Sequence, residues 1–326
     1  MGIYFPLRPS HAWLLCCCWS GCFVVSLYLV PPRIRAMSRD NPTQIKARYI
    51  SVSSACLLAV AGTSALAEPR DGVPGLWRWL GIHGDGVVYA LTLPLMLTAC
   101  LFLGPLVTMV LMAWIKTNRG VSALGVTRRL DSQVPLSLSL TRELKFKSGW
   151  HSGVWATLRN LVVGPVTEEV VFRGCFMPPL LCAGIRTPWV IWLSPLIFGL
   201  AHVHHAREQL RQGYGLLAVL VATAFQMTYT SIFGAYAAFI HLRTGHLVSS
   251  VLVHAFCNYM GVPDLSFAVQ PGLPQQSTAT SALHHRRRGL WCVYVIGMGL
   301  FAALLFPITR PSLYKSILWS ARDSLE

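Results

Sequence analysis

Apolar positions in this chain fall in long runs separated by short polar stretches, many of them basic. A helix of about 20 apolar residues spans a bilayer, so each long run is a candidate membrane segment. The first runs from Ala12 to Val30 and is stopped by Pro31-Pro32; a second, weaker and rich in Ser and Ala, covers Tyr49 to Ala67. The third, Val87 to Trp114, contains Pro94 and Gly104-Pro105, which predict kinks that neighbouring helices can satisfy. The fourth, Trp155 to Leu181, carries charges inside it. Then come Pro188 to His202, Leu216 to Leu242, the short Leu247 to Met260, and Leu290 to Ile308. The pattern predicts an all-α fold, a polytopic membrane helical bundle of about eight transmembrane helices. Three regions follow: amino-terminal helices and a basic loop over 1–154, a catalytic helical core over 155–262, and a polar loop, last helix and tail over 263–326.

Charge fixes the expected orientation. Arg33, Arg35 and Arg39 follow the first run, and Lys116, Arg119, Arg128, Arg129, Arg142, Lys145 and Lys147 follow the third. Basic loops stay on the cytosolic side, which places the amino terminus outside and these loops inside. The tail residues Arg310, Lys315 and Arg322 fall on the opposite side, against that rule. A leading signal peptide is disfavoured because the positive charge follows the first run.

Composition agrees with the runs. Of 326 residues, 54% are hydrophobic and 12% charged, against about 25% charged in soluble domains. The net charge of +15 sits in loops, and no helix-turn-helix, zinc-finger or aromatic RNA-reading pattern accompanies it, so nucleic acid is not an expected partner. The ten cysteines include no Cys-x-x-Cys pair, which argues against a disulfide framework or a cysteine metal site. The cluster Cys16–Cys18 leaves palmitoylation as a weak option.

Charges at membrane depth are costly, about 2.5–3.5 kcal/mol each on insertion scales, and usually functional. The fourth run holds Glu168, Glu169 and Arg173 in the stretch Gly164-Pro165-Val166-Thr167-Glu168-Glu169-Val170-Val171-Phe172-Arg173. Glu169 and Arg173 are four apart and can pair on one helix. Glu168 then has no local cation, and a buried, unpaired carboxylate suits a general acid or base. Gly164-Pro165 should bend the helix and admit water. His202 closes the fifth run, with His204 and His205 at its polar exit. His254 and Asn258 share one face of the seventh. Each of these groups also has a purely structural reading, as an interhelical hydrogen bond or an interfacial histidine.

Three motifs in order, Glu-Glu-x-x-x-Arg (Glu168, Glu169, Arg173), Phe-x-x-x-His (Phe198, His202) and His-x-x-x-Asn (His254, Asn258), resemble the type II CaaX prenyl endopeptidases of the wider Abi superfamily. The resemblance covers about Leu158 to Met260. It implies removal of the last three residues of prenylated CaaX proteins such as Ras-like small GTPases, in the endoplasmic reticulum membrane. It also implies that Glu168 and His202 activate water while His254 and Asn258 stabilise the oxyanion, with Glu169, Arg173 and Phe198 in support and no cofactor. The residues allow rivals. A zinc hydrolase could use Glu168, His202 and His254 as a two-histidine, one-carboxylate site, although His-Glu-x-x-His is absent. An ion or proton transporter could also use intramembrane Glu, His and Arg.

The reading predicts that Glu168→Ala, His202→Ala and His254→Ala each abolish peptide cleavage at near-normal expression. Asn258→Ala should slow cleavage by about 10²–10³ as the loss of one oxyanion donor. Wild-type turnover by Glu168→Gln in the same peptide assay would sink the assignment.

Overall fold

The protein is described by a computed structural model. It covers residues 2–123, 153–200, 206, 209–210, 213–263, 265 and 286–319, with backbone alone over 116–123. The chain is mostly helical, as its apolar runs require. The helices are α1 (Pro9–Ser26), α2 (Pro32–Arg35), α3 (Pro42–Ala65), α4 (Leu76–Trp79), α5 (Val87–Leu101) and α6 (Leu103–Ala123). There follow a composite helix α7 over 154–182, then α8 (Thr187–Leu200), α9 (Leu216–Thr244), α10 (Leu247–Met260), α11 (Arg287–Ile308) and α12 (Pro311–Tyr314). Ile3–Tyr4 (β1) pairs antiparallel with Glu68–Pro69 (β2).

Among the described residues, α3, α9 and α11 are long and apolar enough to cross a membrane, and the bent pair α5–α6 makes a fourth candidate. α8 and α10 are apolar but shorter. The chain is thus an integral membrane protein by its helices, with a smaller set of clear spans than its apolar runs suggest. Prolines and turns cause the difference, because they cut runs into shorter helices. α1 ends at Ser26, four residues before the proline pair, as Leu27, Tyr28 and Leu29 tighten into i→i−3 bonds to Val24, Val25 and Ser26. The third run breaks at Phe102, with a 73° bend. Pro105 has no N–H for the Leu101 carbonyl and its ring crowds that carbonyl, so the helix parts there. Pro94 remains inside α5.

The chain divides into two compact units, Met1–Pro94 with Leu158–Ala255 and Thr309–Glu326, and Leu95–Thr157 with Phe256–Ile308. In the first, α1 and α3 pack on α7, and α8 packs along α9. Its core joins Phe23, Val52, Phe172, Phe176, Phe198 and Leu242. α9 is capped by Gly245 at φ +67°, a left-handed position that glycine takes without strain. In the second unit, α6 and α11 cross closely: a Cβ on Gly104 would stand 2.1 Å from the Tyr294 ring, so only glycine fits there. The basic loop expected over 116–147 lies almost wholly outside the described residues, as does most of the polar loop near 264–285.

Of the tail cations that break the charge rule, Lys315 has an acidic neighbour, and Arg322 lies outside the described residues. Lys315 lies 4.0 Å from Asp85, whose other oxygen pairs with Arg78 at 2.9 Å. These cations hold the exposed Asp85 carboxyl below its usual range, with Arg78 as the main cause. Beside them, the ring centres of His83 and His246 lie 3.9 Å apart with the planes tilted by 37°. His83 Nε2 meets the Gly245 carbonyl at 3.1 Å, and His246 Nε2 meets the Asp85 carbonyl at 2.7 Å.

Burial pushes His246 down to about 4, with the neighbouring His83 adding to the effect. The unfolded ring takes a proton near pH 6.5, so it binds more protons than the folded ring between those values. This contribution to stability is complete above about pH 6.5 and is lost as pH falls towards 4. Thermal unfolding in detergent should therefore weaken from pH 7 to 5, and His246→Asn should flatten that slope.

Candidate active site

α7 carries the acids, and its backbone is unusual. Arg159–Val163 is π-helical, Gly164–Glu169 is α-helical, and Val170–Cys175 is π-helical again before Met177–Cys182 resumes the α form. Pro165 explains the first π stretch: it cannot donate to the carbonyl four residues back, and a widened turn relieves the clash. Pro178 and Pro179 follow the second in the same way. Wide turns re-aim side chains, and π segments recur at functional sites. At Gly164-Pro165, where a bend is expected from the sequence, the winding changes from π to α.

Glu169 and Arg173 are both almost inaccessible, at 0% and 1%. Arg173 donates from Nη1 to Glu169 Oε1 at 3.0 Å and from Nη2 to the Gly234 carbonyl at 3.2 Å. Its guanidinium also lies 4.9 Å from the centre of the Phe198 ring. Gly234 lets α8 pack closely on α9, since a Cβ there would stand 2.8 Å from Pro195 Cβ, whereas its 3.5 Å to Arg173 Nη2 would be ordinary contact. Removing one partner from a buried ion pair costs about 3–5 kcal/mol, because the other charge is left uncompensated.

His254, from α10, completes the group. Its Nδ1 meets Glu169 Oε1 at 2.7 Å, and its Nε2 faces Glu168 Oε2 at 3.8 Å. A carboxylate only accepts, so Nδ1 carries the proton in the bond to Glu169. The ring is packed against Phe233, centroids 4.8 Å apart. Glu169 Oε1 therefore accepts from a helix neighbour and from a second helix at once, while Oε2 is without a hydrogen-bond partner among the described residues.

Two sequence-based expectations change here. Glu168 is not a buried, unpaired acid: its side chain is 24% exposed and it faces His254. Adjacent side chains on a helix point about 100° apart, so Glu169 faces inward while Glu168 lies toward the accessible side. Glu169, expected to serve Arg173 alone, also holds His254. Asn258 lies one turn beyond His254 on α10 and its side chain is exposed. His202 lies outside the described residues, as do His204 and His205; Phe198, one turn before His202, sits edge-on to Phe172 at 5.0 Å. The contribution of α9, through Phe233 and the Gly234 carbonyl, was missed because an apolar run holding a glycine has no chemical signature. His241 on the same helix was also missed: it is fully buried, and both ring nitrogens are without hydrogen-bond partners among the described residues.

Among the described residues no set of three or more His, Cys, Asp or Glu is grouped to hold a metal ion. All ten cysteines are free thiols, three of them buried on α7 or α10.

Comparison with known proteins bears directly on this group. Residues 150–260 match a family model described as Type II CAAX prenyl endopeptidase Rce1-like. A human protein named CAAX prenyl protease 2 is 36% identical over 97% of this chain and 91% of its own length. The Arabidopsis thaliana protein of that name is 33% identical over 95% of this chain and 93% of its own. In Saccharomyces cerevisiae the likeness is confined to 34% of this chain, at 36% identity. No solved structure matches the chain. The matched segment contains Glu168, Glu169, Arg173, Phe198, His254 and Asn258, and the whole-length likeness at this identity makes the chain a member of the type II CaaX prenyl endopeptidase family.

Proposed function

We propose that this chain is a membrane endopeptidase that removes the aaX tripeptide from prenylated CaaX proteins, cutting after the prenyl-cysteine with an activated water. Its relatives carry the name CAAX prenyl protease 2 from human to plant and nematode. The observation that carries the mechanism is the placing of His254 between two carboxylates, one buried with an arginine and one at the opening.

In this reading Glu168, with His202, takes a proton from water as the water attacks the scissile carbonyl. Glu169 fixes the orientation of His254, so that Nε2 is the ring position offered to the reaction. The group Glu168, Glu169 and Arg173 carries one net negative charge, and one further proton makes it neutral. A neutral set is the favourable one in a medium that solvates charge poorly. With a proton on Nε2, His254 donates to the tetrahedral oxygen, and Asn258 adds a second donor. The proton that Glu168 took from water then passes to the leaving amine.

The finer expectations stand as part of the same proposal: about eight spans, a catalytic core over 155–262, residence in the endoplasmic reticulum, Ras-like substrates and no cofactor. A partly exposed Glu168 beside apolar helices supports entry of a lipid-bearing peptide from the bilayer. The zinc reading has support of its own, because a histidine that gives Nδ1–H to a carboxylate and turns Nε2 outward is also how zinc ligands are held.

The test is purified chain in liposomes with a farnesylated CaaX peptide, its unprenylated twin, and Glu168→Ala as control. Release of the tripeptide from the prenylated peptide alone is the expected result. Absence of cleavage by the wild-type chain would favour the transporter reading. A chelator should leave the rate unchanged, whereas inactivation reversed by zinc would establish the metal. Glu169→Gln should lower kcat by about 10–100-fold with little change in KM, the range seen when an orienting carboxylate is lost.

A further inference from the structure

His241, on α9, is a buried group that the chemistry above does not use. It is fully inaccessible, and neither ring nitrogen has a hydrogen-bond partner among the described residues. A buried polar atom without a partner costs free energy, so a native interior pairs it or holds a water beside it. One side of the ring is closed by backbone: a Cβ on Gly81 would stand 2.7 Å from His241 Cε1. The ring lies in the field of Glu169 and Arg173 and beside the main chain of His246.

Glu169 Oε2 is a second such atom, equally hidden and without a hydrogen-bond partner among the described residues. The groups around it are committed elsewhere. Arg173 donates from Nη1 to the other carboxylate oxygen and from Nη2 to the Gly234 carbonyl. His254 Nδ1 also meets Oε1. Ser250 Oγ stands beside the carboxylate, but its one hydrogen goes to the Leu247 carbonyl at 2.9 Å.

The first turn of α10 relates the two. The ring lies by His246 and the carboxylate by Ser250, four positions on, a helical rise of about 6 Å. A water that bonds to both groups spans about 5.6 Å, as two hydrogen bonds of 2.8 Å each. Its chemistry also fits. A carboxylate only accepts, a neutral imidazole offers one donor and one acceptor, and a water can satisfy either ring nitrogen while donating to Oε2.

We propose that one buried water joins His241 to Glu169 Oε2, and that His241 is thereby a positioning residue for the Glu169–His254 pair. Its effect on turnover rests on the peptidase reading, whereas the water does not. With the water in place both carboxylate oxygens are held, Oε1 by Arg173 and His254 and Oε2 by the water. Without it the donors act on one oxygen alone. The terminal torsion of a glutamate is broad, so the carboxylate can then turn and loosen the imidazole that it orients.

The experiment is X-ray radiolytic footprinting of the detergent-purified full chain, read by mass spectrometry and scaled to the unfolded chain. Radicals form at irradiated water, so an inaccessible side chain is labelled only where a water lies beside it. His241 is expected to be labelled while its neighbours Ile240 and Leu242, both 0% exposed, stay protected. Labelling of His241 no greater than theirs overturns the proposal, whether or not the chain cleaves peptide. In the peptide assay, His241→Leu should lower kcat by about tenfold with KM nearly unchanged, as for loss of an orienting group. His241→Gln, which keeps a donor and an acceptor, should recover most of that loss, which a packing defect would not allow. Wild-type kcat in His241→Leu, or no recovery in His241→Gln, refutes the positioning role.

Discussion

A carboxylate removed from water keeps its charge only if the protein supplies donors and cations in fixed positions. Glu169 is the residue on which that constraint falls. It is wholly buried, and a single oxygen accepts from Arg173 on its own helix and from His254 on another. Arg173 in turn reaches the Gly234 carbonyl on α9 and lies over Phe198 on α8. One ion pair thereby fixes the relation of α7, α8, α9 and α10 around Glu168. The packing around the pair is close: Gly234 is the small residue that lets Pro195 on α8 approach α9, and Phe233 backs the imidazole.

The same constraint separates two adjacent glutamates into different tasks. Glu169 is buried with its partners and is suited to hold geometry. Glu168 is at the opening, within reach of His254 Nε2 and of solvent or substrate. The helix that carries them alternates α and π winding because prolines remove backbone donors at Pro165, Pro178 and Pro179. That winding costs hydrogen-bond regularity, and it presents successive side chains at angles that an unbroken α-helix does not offer.

Membership of the type II CaaX prenyl endopeptidase family gives this geometry a chemical purpose, since peptide hydrolysis needs a proton acceptor and an oxyanion donor side by side. The surface away from that site has its own logic. Between α9 and α10 the turn at Gly245 is packed with histidines beside Asp85. Charge is thus kept at the ends of the helices except where Glu168, Glu169 and Arg173 require it inside.

The helical class, the approximate place of each apolar run and the Glu169–Arg173 pair were legible in the sequence, because run length, proline position and i,i+4 spacing act locally. Local rules also identified Glu168, His254 and Asn258 as polar groups without a reason to be in lipid. They placed a kink at Gly104-Pro105 but did not show that the helix parts there with a 73° bend. Nor did they reveal that His254 belongs to Glu169, which is 85 positions away in sequence. That contact depends on how α7 and α10 pack. Sequence alone determined which residues could carry charge within the membrane; the tertiary structure decided which of them touch, because distance and burial between helices are set by packing across the whole bundle.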